Sequence, residues 1–233
     1  VPKELLPIGN VPIIALLVDE CMSVGIKEIC FVISKGKEAI PEFFTSNKSL
    51  EAELERRGKL HMLSELTKYN EVKFHVVYQE QMLGDGHAIL QAASWVTSPD
   101  IAILFGDDLI AGAQNGLTQL VGAADRMRAT KTDRALLCLQ NVERKDVSKY
   151  GIVDIDPQTS EGRLWKVRGL VEKPRPEEAP STLGIVGKYI IPRSTIDTLA
   201  SVASGHADKE IRLIDALKKQ LTSLLKRTFL FKN

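Results

Sequence analysis

Two adjacent carboxylates, Asp107 and Asp108, follow Gly106 at the end of the apolar run Ile101-Ala102-Ile103-Leu104-Phe105. Five apolar residues without polar alternation read as a strand covered on both faces, as in a parallel sheet. In an open α/β sheet, ligands gather beyond the carboxyl ends of the strands. An Asp there is placed to hold Mg²⁺ through oxygen, and Mg²⁺ brings substrate phosphates with it. Gly106 lets the backbone turn or a ligand come close. The plain alternative is a strand followed by an ordinary turn, since Gly and Asp are common turn residues.

Three further stretches carry residue types suited to the same kind of ligand. Gln79-Glu80-Gln81-Met82-Leu83-Gly84-Asp85-Gly86-His87-Ala88 lies between an expected strand and an expected helix. Gly84 and Gly86 would leave backbone N–H groups open to an anion at that helix start. Gln79 offers an amide that pairs with a donor–acceptor edge such as a nucleobase. His87 reads as a cap or packing residue, because no partner carboxylate is obvious. Lys3 sits in a loop stiffened by Pro2 and Pro7, although a loop lysine commonly faces solvent. Glu172-Lys173-Pro174 ends a strand with a carboxylate fit for sugar hydroxyls and an ammonium fit for phosphate; the alternative is a surface ion pair. Lys35, Lys37, Lys218 and Lys219 read as solvated charge, and Asp154 and Asp156 as caps or solvent-facing groups.

The elements that must position these residues alternate. Pro12 suits the first turn of a helix that Gly25 would stop, and Ile29–Ser34 is the next buried strand. Leu50–Thr67 spaces leucines among charges as one amphipathic helical insert. Val72–Tyr78 is a strand, Gly86–Val96 a helix, Leu117–Arg128 a helix and Ala135–Gln140 a strand. From Tyr150 the texture turns to β, with strands at Tyr150–Asp156, Leu164–Val171 and Ile185–Ile191. Helices are expected at Ser194–Leu199 and Ile211–Lys226, and Thr228–Phe231 is strand-like. The pattern predicts an α/β fold to about residue 140 and a smaller α+β portion after it.

Composition excludes several classes. Lys plus Arg number 31 against 30 for Asp plus Glu, a balance with no field for a nucleic-acid partner. No apolar run approaches the ~20 residues needed to span a bilayer. Cys21, Cys30 and Cys138 sit in apolar contexts without metal-ligand spacing, which fits free thiols in a reducing cytoplasm. The opening Val1-Pro2-Lys3 and the strand-like close read as the ends of a piece cut from a longer protein.

Six stretches in register resemble the sugar-1-phosphate nucleotidyltransferases over nearly the whole chain: Pro2–Pro7, Gly84–Ala88, Phe105–Asp107, Tyr150–Val153, Val171–Pro174 and Ile185–Tyr189. The Leu- and Glu-rich insert is similar to the uridylyl branch of that family rather than the shorter thymidylyl enzymes. The resemblance implies a Rossmann-like mixed, mostly parallel sheet flanked by helices. It implies a single domain over 1–233, with about 1–140 serving the nucleotide and about 141–233 the sugar. The implied reaction moves UMP from UTP to glucose 1-phosphate, with Mg²⁺, in a homodimer or homotetramer whose apolar helix Leu213–Leu225 offers a contact face.

Residue by residue, the resemblance assigns Lys3 to the nucleotide phosphates, Gln79 and the backbone of Gly84 to the uracil edge, and Gly86 to the nucleotide. It assigns Asp107 to the metal and Lys173 to the sugar phosphate. Tyr150, Gly151, Glu172 and Gly187 fall to the sugar. The family's glycine-rich phosphate loop and second metal-binding Asp would lie before Val1 and after Asn233. Lys209 and Arg212 stand where the family has an acid and a neutral amide, which leaves open another nucleotide, another sugar phosphate, or a relative that binds without turnover.

Overall fold

Proline and glycine punctuate the first eighty residues, and short elements form between them. The computed structural model describes residues 1–128, 134–202, 210–222 and 229–232. The chain divides into two compact units, Val1–Glu80 and Gln81–Asn233.

In the first unit a 3₁₀ turn at Lys3–Leu5 leads into a small hairpin, β1 (Pro7–Ile8) and β2 (Val11–Pro12). Helix α1 (Ile13–Ser23) starts one residue later than Pro12, which takes the extended cap position (φ −59°, ψ 145°) instead of the first turn. Its far end closes as expected at Gly25 (φ +81°). There the Gly25 N–H donates to Met22 O at 2.9 Å and the Ile26 N–H to Cys21 O at 3.1 Å, the paired bonds of a Schellman cap.

Strand β3 (Glu28–Ile33) and strand β4 (Lys73–Tyr78) pair in parallel, from Glu28↔Lys73 to Ile33↔Tyr78. Between them lie α2 (Ala39–Glu42), α3 (Lys48–Arg56) and α4 (Leu60–Thr67). The insert expected as one helix is therefore two. Gly58 adopts φ +65°, which breaks the α-helical path between them. Phe44 centres an aromatic cluster with Phe31, Phe43, Tyr69 and Phe74, at ring separations of 4.9 to 5.4 Å. Of the insert's leucines, Leu54 is buried while Leu50 and Leu60 stay exposed.

The second unit contains α5 (Gly84–Gln91), β5 (Asp100–Leu104), α6 (Gly116–Arg128), β6 (Leu136–Asn141), β7 (Gly151–Glu161), β8 (Leu164–Glu172) and β9 (Leu183–Pro192). Helices α7 (Ser194–Ala200) and α8 (Leu213–Thr222) and strand β10 (Phe229–Lys232) follow. One six-stranded sheet runs β5-β9-β6-β10-β8-β7. The α/β character and the mixed sheet match expectation, but the balance of directions does not. Within this sheet only β6 and β10 pair in parallel, and the other pairings are antiparallel. An apolar run reports burial on two faces and says nothing of its neighbours' direction. Here β9 inserts between β5 and β6 against both, and β7–β8 turns back tightly at Gly162, which forces antiparallel pairing.

Leu137, Leu139, Val153 and Ile191 of the sheet pack with Leu213, Ile214 and Leu217 of α8 in one core. The apolar face of α8 expected to meet another subunit is thus taken up inside its own unit: Leu213 and Leu217 are each 1% exposed. Among the described residues, no helix is long and apolar enough to cross a membrane.

The ring cluster in the first unit sets a stability expectation. Replacing Phe44 with Ala should lower unfolding free energy by about 3–5 kcal/mol through lost burial and a cavity. Leu50→Ala, on an exposed position, should stay within about 0.5 kcal/mol. Urea unfolding of the two variants checks the contrast.

Candidate active site

Strand β9 departs from regular pairing where the site begins. Its register with β6 slips between Leu137↔Tyr189 and Cys138↔Val186, leaving Gly187 and Lys188 as a bulge. The turn after β5 docks on that bulge. The Phe105 N–H donates to Gly187 O at 2.7 Å, and the Gly187 N–H donates to Asp108 Oδ2 at 2.8 Å. A Cβ at Gly187 would strike the Asp108 carboxylate and lie 2.5 Å from Phe105, so this approach needs glycine. Asp108 is thereby a structural anchor, while Asp107 beside it is exposed. The bond from Asp108 separates two carboxylates that look alike in sequence.

The glycine loop is built differently from its sequence reading. Gly84 has φ +92°, and a Cβ there would lie 2.6 Å from Ile211 O. At Gly86 the corresponding distance is 2.8 Å. The Gly86 N–H donates to Ile211 O at 2.9 Å, and the Ile211 N–H donates to Leu83 O at 2.8 Å. The N–H of Gly86, expected to stand open for a ligand, is committed to this clasp. Asp85 Oδ1 accepts from the Gly86 N–H at 2.7 Å and from the Leu213 N–H at 3.2 Å, at the first residue of α8.

At the end of β8, Glu172 pairs in register with Gly151. A Cβ on Gly151 would come within 3.3 Å of Glu172 Oε2, so this glycine makes room for the carboxylate. Lys173 is the only non-glycine residue with positive φ among those described, at +44°. Its N–H donates to Tyr150 O at 3.0 Å, which holds the turn. The Lys173 ammonium is 3.8 Å from Glu172 Oε1 and largely in water. Such strain in a non-glycine residue is commonly kept at functional sites.

Electrostatics place these loops around one group. Burial pushes the Tyr189 hydroxyl well above the usual phenol range, and Asp85, Asp108 and Glu172 push it further. The glycine loop, the Asp107–Asp108 turn and the end of β8 therefore each bring a carboxylate within electrostatic reach of Tyr189. Glu172 itself is raised by burial, opposed by Lys173, reinforced by Asp85, and opposed again by Arg212 and Lys218. Arg212 pairs with Glu210 at 2.9 Å.

Sequence reasoning gave Tyr189, Asp85 and Asp108 no separate role in this arrangement, named Arg212 only as a departure from the family pattern, and read Lys218 as mere solvated charge. Lys188 was missed too. It is fully buried, with its chain 2.7 Å from where Gly116 would carry a Cβ. An aromatic or a lysine inside an apolar strand carries no local sign of such a role. Of the two departures, Lys209 lies outside the described residues.

Lys3 and Gln79 belong to the first unit. Lys3 is exposed on the 3₁₀ turn, and Gln79 is buried at the end of β4, its N–H donating to Ile33 O at 2.8 Å. Lys37, read as solvated charge, instead reaches the buried Glu4 at 2.6 Å and ties down the loop that carries Lys3.

The fold and these motifs define a nucleotidyltransferase: the Nucleotidyl transferase family matches residues 1–233, and the chain belongs to that family. It is 36% identical over 219 residues to UTP–glucose-1-phosphate uridylyltransferase YngB of Bacillus subtilis (strain 168), covering 94% of this chain and 71% of that protein. A second uridylyltransferase of the same strain is also 36% identical, over 94% of this chain and 72% of its own. Among solved structures, the UTP-bound UGPase from Acinetobacter baumannii superposes with a TM-score of 0.82 at 31% identity, covering 100% of this chain and 78% of that one. An apo UDP-glucose pyrophosphorylase gives 0.85 at 27% identity, over 100% of this chain and 82% of its own.

The raised Glu172 carboxyl has a consequence for stability. A carboxyl whose folded pKa exceeds its unfolded one stabilises the fold at low pH and loses that contribution as pH rises through the folded value. Relative to Glu172→Gln, the native protein should therefore lose thermal stability as pH rises from the ordinary glutamate value of 4.5 towards neutrality. Melting curves of both proteins across that window test it; parallel curves would remove burial as the cause.

Proposed function

We propose that this protein transfers UMP from UTP to glucose 1-phosphate, forming UDP-glucose and pyrophosphate. The observation that carries this reading is the convergence on Tyr189 of the glycine loop, the Asp107–Asp108 turn and the Glu172 strand end. Family membership and the named uridylyltransferase relatives select the reaction.

The phosphate oxygen of glucose 1-phosphate attacks the α-phosphorus of UTP in line, a P–O bond forms, and pyrophosphate leaves with the electrons of the bond that breaks. Both reactants are anions, so catalysis consists of alignment and charge screening more than covalent work. Lys173 screens the sugar phosphate and Lys3 the nucleotide phosphates. Gln79 and Gly84 address the uracil edge; Gly86 supports that loop through its clasp. Glu172 accepts from glucose hydroxyls, while Tyr150, Gly151 and Gly187 shape the sugar side. The nucleotide portion is about 1–140 and the sugar portion about 141–233.

Mg²⁺ fits the donor set at one position. Among the described residues no group of three or more His, Cys, Asp or Glu is arranged to hold a metal. Asp107 is nonetheless an exposed hard oxygen donor, and Mg²⁺ is commonly held by one or two carboxylates with substrate phosphates supplying other ligands. When bound, it would supply Lewis-acid screening of phosphate charge. A homodimer or homotetramer completes the reading, with a contact face other than the buried side of α8.

A related reading keeps the chemistry and changes the sugar or nucleotide, favoured by Arg212 acting on Glu172. Pyrophosphate release from a panel of nucleoside triphosphates and sugar phosphates decides between them: UTP with glucose 1-phosphate should exceed every other pair.

Two substitutions test the assigned roles. Lys173→Ala should cut kcat by about a hundredfold or more, as expected for a group that stabilises transferring charge. Lys173→Gly should be equally inactive yet about 1 kcal/mol more stable than the Ala variant, because glycine accepts the left-handed backbone. Near-native turnover by either would remove the role. Asp107→Asn should shift the Mg²⁺ titration of turnover to higher concentration, and an unmoved titration counts against its assignment.

A further inference from the structure

Asp85 is the carboxylate between Gly84 and Gly86, and one of its bonds leaves the loop. Its Oδ1 takes the Leu213 N–H at 3.2 Å, at the first residue of α8, as well as the adjacent Gly86 N–H at 2.7 Å. On either side of it the loop is closed onto Ile211, through Ile211 N–H to Leu83 O at 2.8 Å and Gly86 N–H to Ile211 O at 2.9 Å. Side chains are excluded there, since a Cβ at Gly84 or Gly86 would lie within 2.8 Å of that same carbonyl. Glu210 and Arg212 flank Ile211 and pair with each other at 2.9 Å.

We infer that Asp85 is a positioning residue that holds the Gly84–Gly86 loop in its nucleotide-ready shape by anchoring it to the start of α8. A carboxylate at a helix N-terminus is favoured by the exposed N–H groups and the helix dipole. The two backbone bonds to Ile211 alone would let the loop pivot about a single residue. The bond to Leu213 supplies a second fixed point two residues further on, and with it the loop cannot move without displacing α8. Because Arg212 lies in the same strap and acts on Glu172, the anchor also links the nucleotide loop to the sugar-side carboxylate. Burial raises the Asp85 carboxyl, opposed by the Leu213 and Gly86 N–H groups, as expected of an acceptor held out of water.

This inference rests on the proposed reaction, and its test separates the two. In the intact protein, Asp85→Ala and Asp85→Asn are compared with the native residue for KM, kcat and amide hydrogen exchange at Gly86 and Leu213. The Ala variant should raise the KM for UTP about tenfold, the order expected for one lost hydrogen bond to a charged group, with kcat within about threefold. Exchange at Leu213 should quicken. The Asn variant, which keeps an oxygen acceptor, should return both to near-native values. An unchanged KM for UTP in the Ala variant overturns the inference. So does a matched loss of kcat, both substrates' KM and thermal stability that Asn does not rescue. If the native protein prefers another nucleoside triphosphate, the UTP reading fails in the native control, while the ratio between variants, measured with that nucleotide, still judges Asp85. A native protein that binds no nucleotide overturns both.

Discussion

Close approach of backbone to backbone, and of backbone to carboxylate, is the constraint on which the second unit depends. Asp108 reaches the Gly187 N–H, and Ile211 reaches the Gly84–Gly86 loop, only because no side chain stands between them. Each contact joins segments far apart in the chain: 79 residues separate Gly187 from Asp108, and 128 separate Leu213 from Asp85. The loops at the sheet rim are therefore held by hydrogen bonds of fixed length and direction. Apolar packing beneath them supplies the bulk of the stability but tolerates small shifts; these bonds do not.

That rigidity comes with an electrostatic cost. Asp85, Asp108 and Glu172 crowd the buried Tyr189, and burial raises both Asp85 and Glu172. Burial and the neighbouring Asp85 both disfavour the charged form of Glu172. Arg212 and Lys218 offset part of this at Glu172, and Lys173 offsets more. A site built this way favours an incoming hydroxyl donor at the carboxylates.

Much of the architecture was legible locally. Gly25 ends α1 through the cap its position implies, β5 and β8 end at Leu104 and Glu172, each within one residue of where an apolar run stops, and the glycine loop does open a helix. What stayed hidden depends on partners distant in sequence. No local pattern says that β9 runs against both neighbours, or that Gly86 has given its N–H to Ile211. Lys37 looks solvated in sequence because Glu4, its partner, is 33 residues away. The pair Asp107–Asp108 shows the same limit: residue type offers two equal carboxylates, and only the bulge in β9 assigns one of them to the backbone.

Lys173 shows how these constraints meet at a single residue. A lysine held at φ +44° carries a backbone cost of roughly 1–2 kcal/mol that glycine would avoid. The turn itself is secured by the bond from its N–H to Tyr150 O, which any residue but proline could make. Nor does the side chain repay the cost through its ion pair, since an ammonium 3.8 Å from Glu172 and largely hydrated contributes about 1 kcal/mol at most. Structure alone would place glycine here. The lysine is therefore best explained by a task for its charge, and the left-handed turn beside Glu172 brings that charge to the sheet rim on which the other loops converge.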